Sequence, residues 1–326
     1  MLSFLGVSTG IIVLIGGGTL LVRGASEIAT RLGVSPLVVG LTVVGFGTSA
    51  PELVINVVGS LRGETDIAFG NVVGSNISNL ALVLGVAILI APIKIQGQLV
   101  RREVPLLLLA TTVITVMALD QVLEGLPAMI GRSEGIVLVS LFCIFAYINV
   151  LDFVETRASD ALITDIAHHQ YVESDPYSRF RWLFVIVGIA LLSIGGELTV
   201  RNGVSIADSL GVSPAIIGLF LIAVGTSMPE LVTSIVAATR GESDLALGNI
   251  VGSNIFNSLI VLPASSIIAQ VPVPQGGIGD LLLSLFLTAI LVPIFLFGDA
   301  RLGRKEGVFL LLLYFSYATM RIYFEA

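Results

Sequence analysis

The sequence predicts an all-α membrane protein of ten transmembrane helices, arranged as two inverted five-helix repeats with broken helices at the midplane. Three observations predict this class: an apolar composition, ten long apolar segments and two related halves. Hydrophobic residues make up 55% of the 326 residues and charged residues 12%, with a mean hydropathy of +1.02. Because soluble domains carry about 25% charged residues, this chain lacks the polar surface to cover itself in water. The net charge of −7 excludes a nucleic-acid-binding protein that attracts phosphates.

A membrane-spanning helix needs about 20 mostly apolar residues, and ten segments meet this requirement. The segments lie near 4–23, 36–60, 66–91, 104–119, 133–151, 181–200, 214–238, 244–269, 280–297 and 306–323. The only long polar stretch runs from Asp152 to Arg181 and is interpreted as a linker. The predicted organisation is therefore a first half (1–151), a linker (152–181) and a second half (182–326).

The basic residues predict how the helices are oriented. With the N-terminus outside, 12 of the 16 Lys and Arg residues fall on the inner side and 4 on the outer side. This distribution follows the positive-inside rule. We therefore expect an integral, multi-pass cell-membrane protein with both termini outside and the linker in the cytoplasm. An odd number of spans in each half then gives the two halves opposite orientations.

The two halves share a long internal repeat. Residues 29–79 align with 207–257 at a constant offset of 178, with 29 identities over 51 positions and no gaps. The matching motifs are LGVSP (32–36 and 210–214), GTSAPELV with GTSMPELV (47–54 and 225–232), RGETD with RGESD (62–66 and 240–244), and GNVVGSNISN with GNIVGSNIFN (70–79 and 248–257). Inverted repeats of spanning helices are typical of secondary transporters, whose binding site lies near the midplane.

Two glutamates carry the chemistry of the repeats. Glu52 and Glu230 lie in the middle of apolar spans, and no Lys or Arg lies within either motif. A charge at a helix centre in a membrane costs about 2.5–3.5 kcal/mol. Two such carboxylates at equivalent positions predict one shared central site. The alternative is that each glutamate only joins two helices by hydrogen bonds.

A proline lies beside each glutamate. Pro51 and Pro229 remove a helical N–H and disfavour helical angles at the preceding residue. We therefore expect helix breaks around 46–50 and 224–228, with freed carbonyl groups that face the site. Irregular backbone at membrane depth is tolerated only where it is buried in protein or lines a cavity.

Hydroxyl and amide side chains surround the glutamates in both repeats. Ser49 lies three residues before Glu52, on the same face if the helix continues. Asn76 and Asn254 point about 100° away from the serine and asparagine pairs that flank them, and are expected to cap or pack. The candidate ligands are Thr48, Ser49, Glu52, Ser75, Asn79, Thr226, Ser227, Glu230, Ser253 and Asn257.

All of these candidates offer oxygen ligands. Such ligands suit Ca²⁺ or Na⁺ and suit softer metals poorly. Two carboxylates match the charge of one divalent ion, and they also suit two or more monovalent ions or protons. Competition between ions for the same ligands is what exchange requires.

The paired motifs around these residues resemble the alpha-repeats of the sodium/calcium exchangers, within the cation/calcium exchanger superfamily. Here the alpha-repeats would cover about 29–80 and 207–258. The resemblance implies a ten-helix inverted-repeat fold with four ion sites at its centre, and alternating-access exchange of Na⁺ for Ca²⁺. It implies no cofactor beyond the transported ions. The expected partners are these ions and the lipid bilayer, and no protein partner is implied.

The resemblance also implies a role for each candidate residue. Glu52 and Glu230 resemble the shared carboxylate ligands, and Thr48 and Thr226 resemble residues whose main-chain carbonyls bind calcium. Four serines resemble the sodium ligands of the family (Ser49, Ser75, Ser227, Ser253). Two asparagines resemble its central polar pair (Asn79, Asn257). Many members of the family carry aspartate where this chain has Asn257, which leaves the transport stoichiometry open.

Two other functions stay open at this point. A proton-coupled Ca²⁺ antiporter would use the same fold, because glutamates also bind protons. A cation channel is the weaker alternative, since the motifs indicate a closed midplane site. An enzyme is not expected, because no nucleophile–base pair and no His/Asp metal motif occurs in the sequence.

Overall fold

The protein is helical throughout its apolar segments. A computed structural model describes residues 2–94, 97, 99–123, 125, 127–167, 180–211, 223–297 and 301–325. The helices of the first half are α1 (Leu2–Leu32), α2 (Pro36–Val39), α3 (Gly45–Thr48), α4 (Ala50–Leu61), α5 (Asp66–Ile77), α6 (Leu84–Ile90), α7 (Val104–Met117), α8 (Asp120–Leu123) and α9 (Arg132–Ala167). Those of the second half are α10 (Arg181–Ser209), α11 (Ala223–Thr226), α12 (Met228–Thr239), α13 (Ser243–Phe256), α14 (Leu262–Ile268), α15 (Gly277–Phe297) and α16 (Arg304–Glu325).

In the described residues, four short π-helical stretches interrupt or extend these helices. They are Gly40–Val44, Ser78–Val83, Leu99–Glu103 and Asn257–Val261. A π-helical stretch holds one extra residue per turn and occurs often at functional sites. Two of the four lie at equivalent places in the repeats, between α5 and α6 and between α13 and α14. This equivalence indicates that the π turns are part of the repeated architecture.

The ten predicted spans coincide with helices wherever the chain is described. Five helices are long and apolar enough to cross a membrane alone, and the pair Pro36–Thr48 and Ala50–Leu61, bent by 42°, makes a sixth. The other predicted spans correspond to α7, α12, α15 and α16. Residues 214–222 of the seventh predicted span lie outside the described residues.

The helix of the fifth span extends beyond the span itself. Its apolar part, Arg132–Leu151, agrees with the span predicted near 133–151, whereas α9 is a single helix of 36 residues that continues to Ala167. At 1.5 Å per residue its length is about 54 Å, well beyond a hydrocarbon core of about 30 Å. The first part of the expected linker is therefore helical, and residues 168–179 lie outside the described part of the chain.

α1 and α10 pack along each other as a close antiparallel pair. A Cβ atom at Gly17 would lie 2.8 Å from the main-chain nitrogen of Leu192, and one at Gly188 would lie 2.7 Å from that of Leu21. Glycine is therefore required at both positions for the two backbones to come this close. Small residues serve the same purpose at many helix interfaces in membranes, where burial from water does not drive association.

Two small antiparallel strand pairs join the halves at opposite ends of the molecule. Ile93–Lys94 pairs with Arg301–Leu302, and Met129–Ile130 pairs with Val271–Pro272. In the predicted order of ten spans, the first pair joins two loops on one side of the membrane and the second joins two loops on the other. The strand pairing is thus consistent with an even distribution of the loops between two faces.

Candidate functional site

Both predicted helix breaks are present, and each is a single serine. Ser49 separates α3 from α4 with φ −85° and ψ 5°, and Ser227 separates α11 from α12 with φ −85° and ψ 8°. Pro51 and Pro229 follow in the first turns of α4 and α12, where a missing N–H costs little. The near-identical angles show that the repeated motif folds in the same way in both halves.

Glu52 and Glu230 lie in the first turns of the helices that begin at these breaks. Both residues are 0% exposed, and each sits at a helix N-terminus, where the helix dipole favours a negative charge. No Lys or Arg among the described residues pairs with either carboxylate. Two buried carboxylates without a basic partner are costly, so they point to a site that a cation completes.

The carboxylate of Glu230 is surrounded by hydroxyl groups from both halves. Ser49 Oγ donates a hydrogen bond to Glu230 Oε1 at 3.1 Å, and Ser253 Oγ lies 3.5 Å from the same oxygen. Ser253 Oγ also lies 3.1 Å from the main-chain oxygen of Gly45 and 3.2 Å from Thr48 Oγ1. A face shared by Ser49 and Glu52 would require a continuous helix. Because the helix breaks at Ser49, this serine contacts the glutamate of the other half.

The carboxylate of Glu52 has a different environment. Neither of its oxygens has a hydrogen-bond partner among the described residues, and the same holds for Ser75 Oγ and Ser227 Oγ. Thr226 is half-buried, whereas its counterpart Thr48 is buried. The structure therefore connects Thr48, Ser49 and Ser253 to Glu230, whereas among the described residues no hydrogen bond joins Ser75 or Ser227 to Glu52.

Asparagine side chains link the two halves at the π-helical stretches. Asn79 Nδ2 donates to Asn254 Oδ1 at 3.0 Å, and Asn254 Nδ2 donates to the main-chain oxygen of Asn76 at 3.1 Å. Asn76 Nδ2 in turn donates to Ser258 Oγ at 2.9 Å. Asn76 and Asn254 are predicted to cap or pack, and both are buried. In addition, they join the two halves through these hydrogen bonds.

Asn257 differs from its counterpart Asn79. Both Asn257 Oδ1 and Asn257 Nδ2 are buried without a hydrogen-bond partner in the part of the chain that the structure describes. Asn79 leaves only its oxygen without one. Buried amide groups without partners are rare, and at this position they point to an ion or water that completes them.

Asn249 is a functional residue that the sequence reasoning missed. It follows Gly248 in α13 and is fully buried, and its side chain contacts Thr48, Glu230 and Ser234. A signal for it existed, since asparagine recurs at the equivalent position 71 in the repeated motif. The sequence prediction depended on the serines and the later asparagines of the motif and did not include Asn249.

The site as a whole consists of oxygen ligands. The polar groups around the two breaks are carboxylates, hydroxyls, amides and main-chain carbonyls, and the described residues contain no cluster of three or more His, Cys, Asp or Glu. Such a set suits hard cations and leaves softer metals without their preferred ligands. The arrangement can therefore bind and release Na⁺ or Ca²⁺ at the centre of the bundle.

Comparisons with known proteins agree with this description. A sequence model of the family described as sodium/calcium exchanger protein matches residues 2–151 and 180–323. The chain belongs to the sodium/calcium exchanger family. Within that family it is 30% identical to the sodium/calcium exchanger MaX1 of Methanosarcina acetivorans over 347 residues, which cover 98% of this chain and 99% of MaX1. It is 33% identical to the inner membrane protein YrbG of Escherichia coli over 306 residues, or 92% of this chain and 91% of YrbG.

A solved structure gives the same result for the fold. The sodium-calcium exchanger NCX_Mj superposes with a TM-score of 0.80 at 28% sequence identity, covering 97% of each chain. The predicted ten-helix inverted-repeat fold is thereby confirmed. As a member of the exchanger family, the protein is an integral multi-pass membrane protein that exchanges cations for Ca²⁺, and it is not an enzyme.

Proposed function

We propose that the protein exchanges Na⁺ for Ca²⁺ across the cell membrane by alternating access, with the sodium gradient as its driving force. One observation carries the proposal: two fully buried carboxylates, one from each half, lie among hydroxyl and amide oxygens without any basic partner in the described residues. The names of MaX1 and NCX_Mj support the same assignment. No cofactor beyond the transported ions is needed.

The proposed ligands follow from charge and chemistry. Glu52 and Glu230 together carry a charge of about −2 when ionised, which one Ca²⁺ balances. The main-chain carbonyls of Thr48 and Thr226 would complete the calcium shell, since calcium takes six to eight oxygen ligands. Sodium ions would bind at four serines and share the same glutamates, with the central amides between them. The proposed sodium set is Ser49, Ser75, Ser227 and Ser253, and the central pair is Asn79 and Asn257.

Sharing of the glutamates explains why exchange would be coupled. When Ca²⁺ holds both carboxylates, no negative charge is left to attract sodium, and when sodium ions hold them, calcium is excluded. The empty site would keep two uncompensated buried charges, which is unfavourable in a membrane. An empty carrier would therefore change conformation reluctantly, and this reluctance would prevent a leak.

A proton-coupled antiporter is the second candidate, and the environment of Glu52 favours it. Both carboxylate oxygens of Glu52 are buried without a donor among the described residues. Protonation would neutralise such a group without any metal. The clustered hydroxyls near Glu230 favour sodium, because protons need no shell of neutral oxygen ligands.

Flux measurements in proteoliposomes distinguish the two candidates. Calcium uptake is followed under an outward sodium gradient at equal pH, and then under a pH gradient without sodium. We expect uptake to follow the sodium gradient and to stop when sodium is replaced by choline. Uptake that responds only to the pH gradient would replace sodium by protons as the coupling ion.

The proposed orientation places both termini outside and the 152–181 linker in the cytoplasm. The strand pairs support two loop faces, and the basic residues assign those faces to the two sides. In a test of this orientation, Cys143, the exposed cysteine of α9, is first replaced by serine. A new cysteine is then introduced at Ser159. We expect labelling by an impermeant maleimide only after the cells are opened. Labelling of intact cells would reverse the orientation.

A further inference from the structure

Asn249 holds together three parts of the site and uses its amide group fully. Its Nδ2 donates to the main-chain oxygen of Glu230 at 3.2 Å and to Ser234 Oγ at 2.9 Å. Its Oδ1 accepts a hydrogen bond from Thr48 Oγ1 at 3.0 Å. Both amide protons are thus engaged, and the oxygen is directed to a hydroxyl. The side chain therefore has no free donor, and its oxygen already accepts one hydrogen bond.

We propose that Asn249 is a positioning residue that sets the distance between the broken helix of the first half and the glutamate segment of the second half. Through that distance it selects cations by size, although it does not touch the ion. The inference rests on the proposed function of the same site. Thr48 stands immediately before the break at Ser49, and Glu230 supplies a carboxylate, so one amide links the two walls of a single half-site.

The backbone around Asn249 is held rigidly, as this role requires. A Cβ atom at Gly248 would lie 2.6 Å from the main-chain oxygen of Leu37 and 2.9 Å from the Cα atom of Gly40. Gly252, one turn later in α13, is in equally close contact with the backbone of Leu41. Asn249 therefore lies between two fixed backbone crossings. Its amide acts as a spacer of constant length, not as a flexible tether.

The bonds also fix which groups face the site. Thr48 Oγ1 has a single proton, and its possible acceptors are Asn249 Oδ1 at 3.0 Å, Ser253 Oγ at 3.2 Å and the main-chain oxygen of Gly45 at 3.3 Å. Of these, Asn249 Oδ1 is the nearest, and a proton held there turns the lone pairs of the hydroxyl toward Ser253. Without Asn249, Thr48 could rotate and the half-site could widen. A wider half-site would accept larger cations.

Of the three hydrogen bonds of Asn249, its counterpart Asn71 keeps an equivalent of only the one to Ser234 among the described residues. It is half-buried and donates to Asn56 Oδ1 at 2.6 Å, and Asn56 occupies the position equivalent to Ser234. Asn56 Nδ2 donates in turn to the main-chain oxygen of Ala68 at 3.2 Å. The spacer role is thus assigned to Asn249 on its own bonds and not by symmetry.

The test compares Ca²⁺ with the larger Ba²⁺. KM and kcat for both cations are measured in proteoliposomes for the native chain, Asn249→Ala, Thr48→Val and the double variant. Asn149→Ala is the matched control, because Asn149 is also a buried asparagine but bonds only to Phe145 of its own helix. Ser234→Ala, which removes one anchor of the amide, is the second variant should Asn249→Ala fail to insert.

We expect Asn249→Ala to lower the ratio of kcat/KM for Ca²⁺ over Ba²⁺ by about threefold to tenfold, the effect of one buried hydrogen bond, mainly through KM. Ser234→Ala should shift the ratio in the same direction by less. The double variant should resemble a single variant, because both changes break the same link. Asn149→Ala should leave the ratio unchanged. An equal loss for both cations in Asn249→Ala, or independent effects in the double variant, would overturn the proposal.

Failure of the proposed function can be recognised separately. Cation binding is also measured in detergent, as the rise in Tm that Ca²⁺ or Ba²⁺ alone produces. That measurement needs no driving ion, so it reports on Asn249 even if native transport proves to be proton-driven. A native chain without sodium-driven uptake contradicts the proposed coupling, whereas unchanged Ca²⁺ and Ba²⁺ shifts in Asn249→Ala contradict only the spacer.

Discussion

The hydroxyl groups around Glu230 form a connected hydrogen-bonded cluster, whereas the equivalent groups around Glu52 do not. Ser49 and Ser253 both approach Glu230, but no hydrogen bond joins Ser227 or Ser75 to Glu52 among the described residues. The two repeats share their motif almost letter for letter. The two copies of the motif therefore lie in different environments within one conformation.

The same difference extends to the loops that follow the glutamate helices. Ser26 Oγ in α1 donates to Glu242 at 2.8 Å, and Arg240 reaches the main-chain oxygen of Thr19 at 3.4 Å. The counterparts Arg62 and Glu64 are exposed, and no hydrogen bond joins them to α10 in the described ranges. The loop of the second repeat is thus docked against α1, whereas among the described residues no hydrogen bond docks the loop of the first repeat against α10.

This comparison teaches how one chain can have two related conformations. Because the repeats are inverted, the docked loop and the free loop lie on opposite sides of the membrane in the proposed orientation. A conformation in which the two repeats exchanged environments would have similar contacts, but it would be closed on the opposite side of the membrane. Alternating access between inverted repeats rests on this kind of exchange. The asymmetry is then a property of the conformation, and both glutamates should matter equally for transport.

The largest expected effect tests that equality. Glu52→Gln and Glu230→Gln should each reduce calcium transport by at least about a hundredfold, because each removes one of the two charges that neutralise Ca²⁺. The measurement is sodium-dependent calcium flux at matched protein content, with Glu64→Gln, an exposed loop acid, as the control. Normal calcium transport by either site variant would place the binding site elsewhere.

The next prediction concerns helix contacts that differ between the repeats. Gly248→Ala should lower the free energy of unfolding by about 1–3 kcal/mol and impair transport, because its Cβ would overlap the backbone of α2 and Gly40. Gly70→Ala should be tolerated better in this conformation, since no described atom lies within 4 Å of its Cβ position. Thermal unfolding in detergent checks both. Equal losses at the two glycines would show that the asymmetry is not a property of the resting state.

A third prediction uses the different surroundings of the two carboxylates. In the absence of transported ions, Glu52→Gln should raise stability more than Glu230→Gln, by about 1–3 kcal/mol, because the Glu52 carboxylate has no donor and Glu230 keeps Ser49. The gain should shrink as the pH falls, since protonated Glu52 resembles glutamine. Unfolding in sodium- and calcium-free buffer across the pH range measures it. Identical gains for the two variants would contradict the asymmetric cluster.

Much of this architecture could be predicted from the sequence. Apolar runs mark the spans, and the Pro51 and Pro229 motifs mark the breaks, because proline fits the first turn of a helix and weakens a helix interior. Charges at membrane depth mark the glutamates for the same reason: their cost does not depend on the details of packing. These features are properties of short segments, and short segments are what a sequence displays directly.

The rest depends on contacts that the sequence does not encode locally. The π-helical stretches that contain Asn79 and Asn257 carry no residue marker, since one extra residue per turn follows from packing against neighbours. The partner of Ser49 could not be foreseen either, because it depends on how the halves meet. Above all, the difference between Glu52 and Glu230 cannot be read from repeats that are nearly identical around both residues.

The smallest expected effect concerns the central amides, where the two repeats also differ. Asn79 Nδ2 donates to Asn254 Oδ1, whereas neither amide atom of Asn257 has a partner among the described residues. Asn79→Asp would therefore replace a donor by a second acceptor facing Asn254, but Asn257→Asp would break no hydrogen bond. We expect Asn257→Asp to fold normally and Asn79→Asp to be less stable.

The new charge at position 257 should change the ion dependence of transport. With two neutral amides, calcium neutralises the centre fully, so the position between the amides holds water more readily than a further cation. A third carboxylate would either strengthen cation binding or hold a proton beside the glutamates, and each outcome alters calcium flux by about severalfold at some sodium concentration or pH. Flux is measured against both variables for the native chain and for Asn257→Asp. Superimposable curves would show that Asn257 does not face the ions, and the central pair would then lose its place in the site.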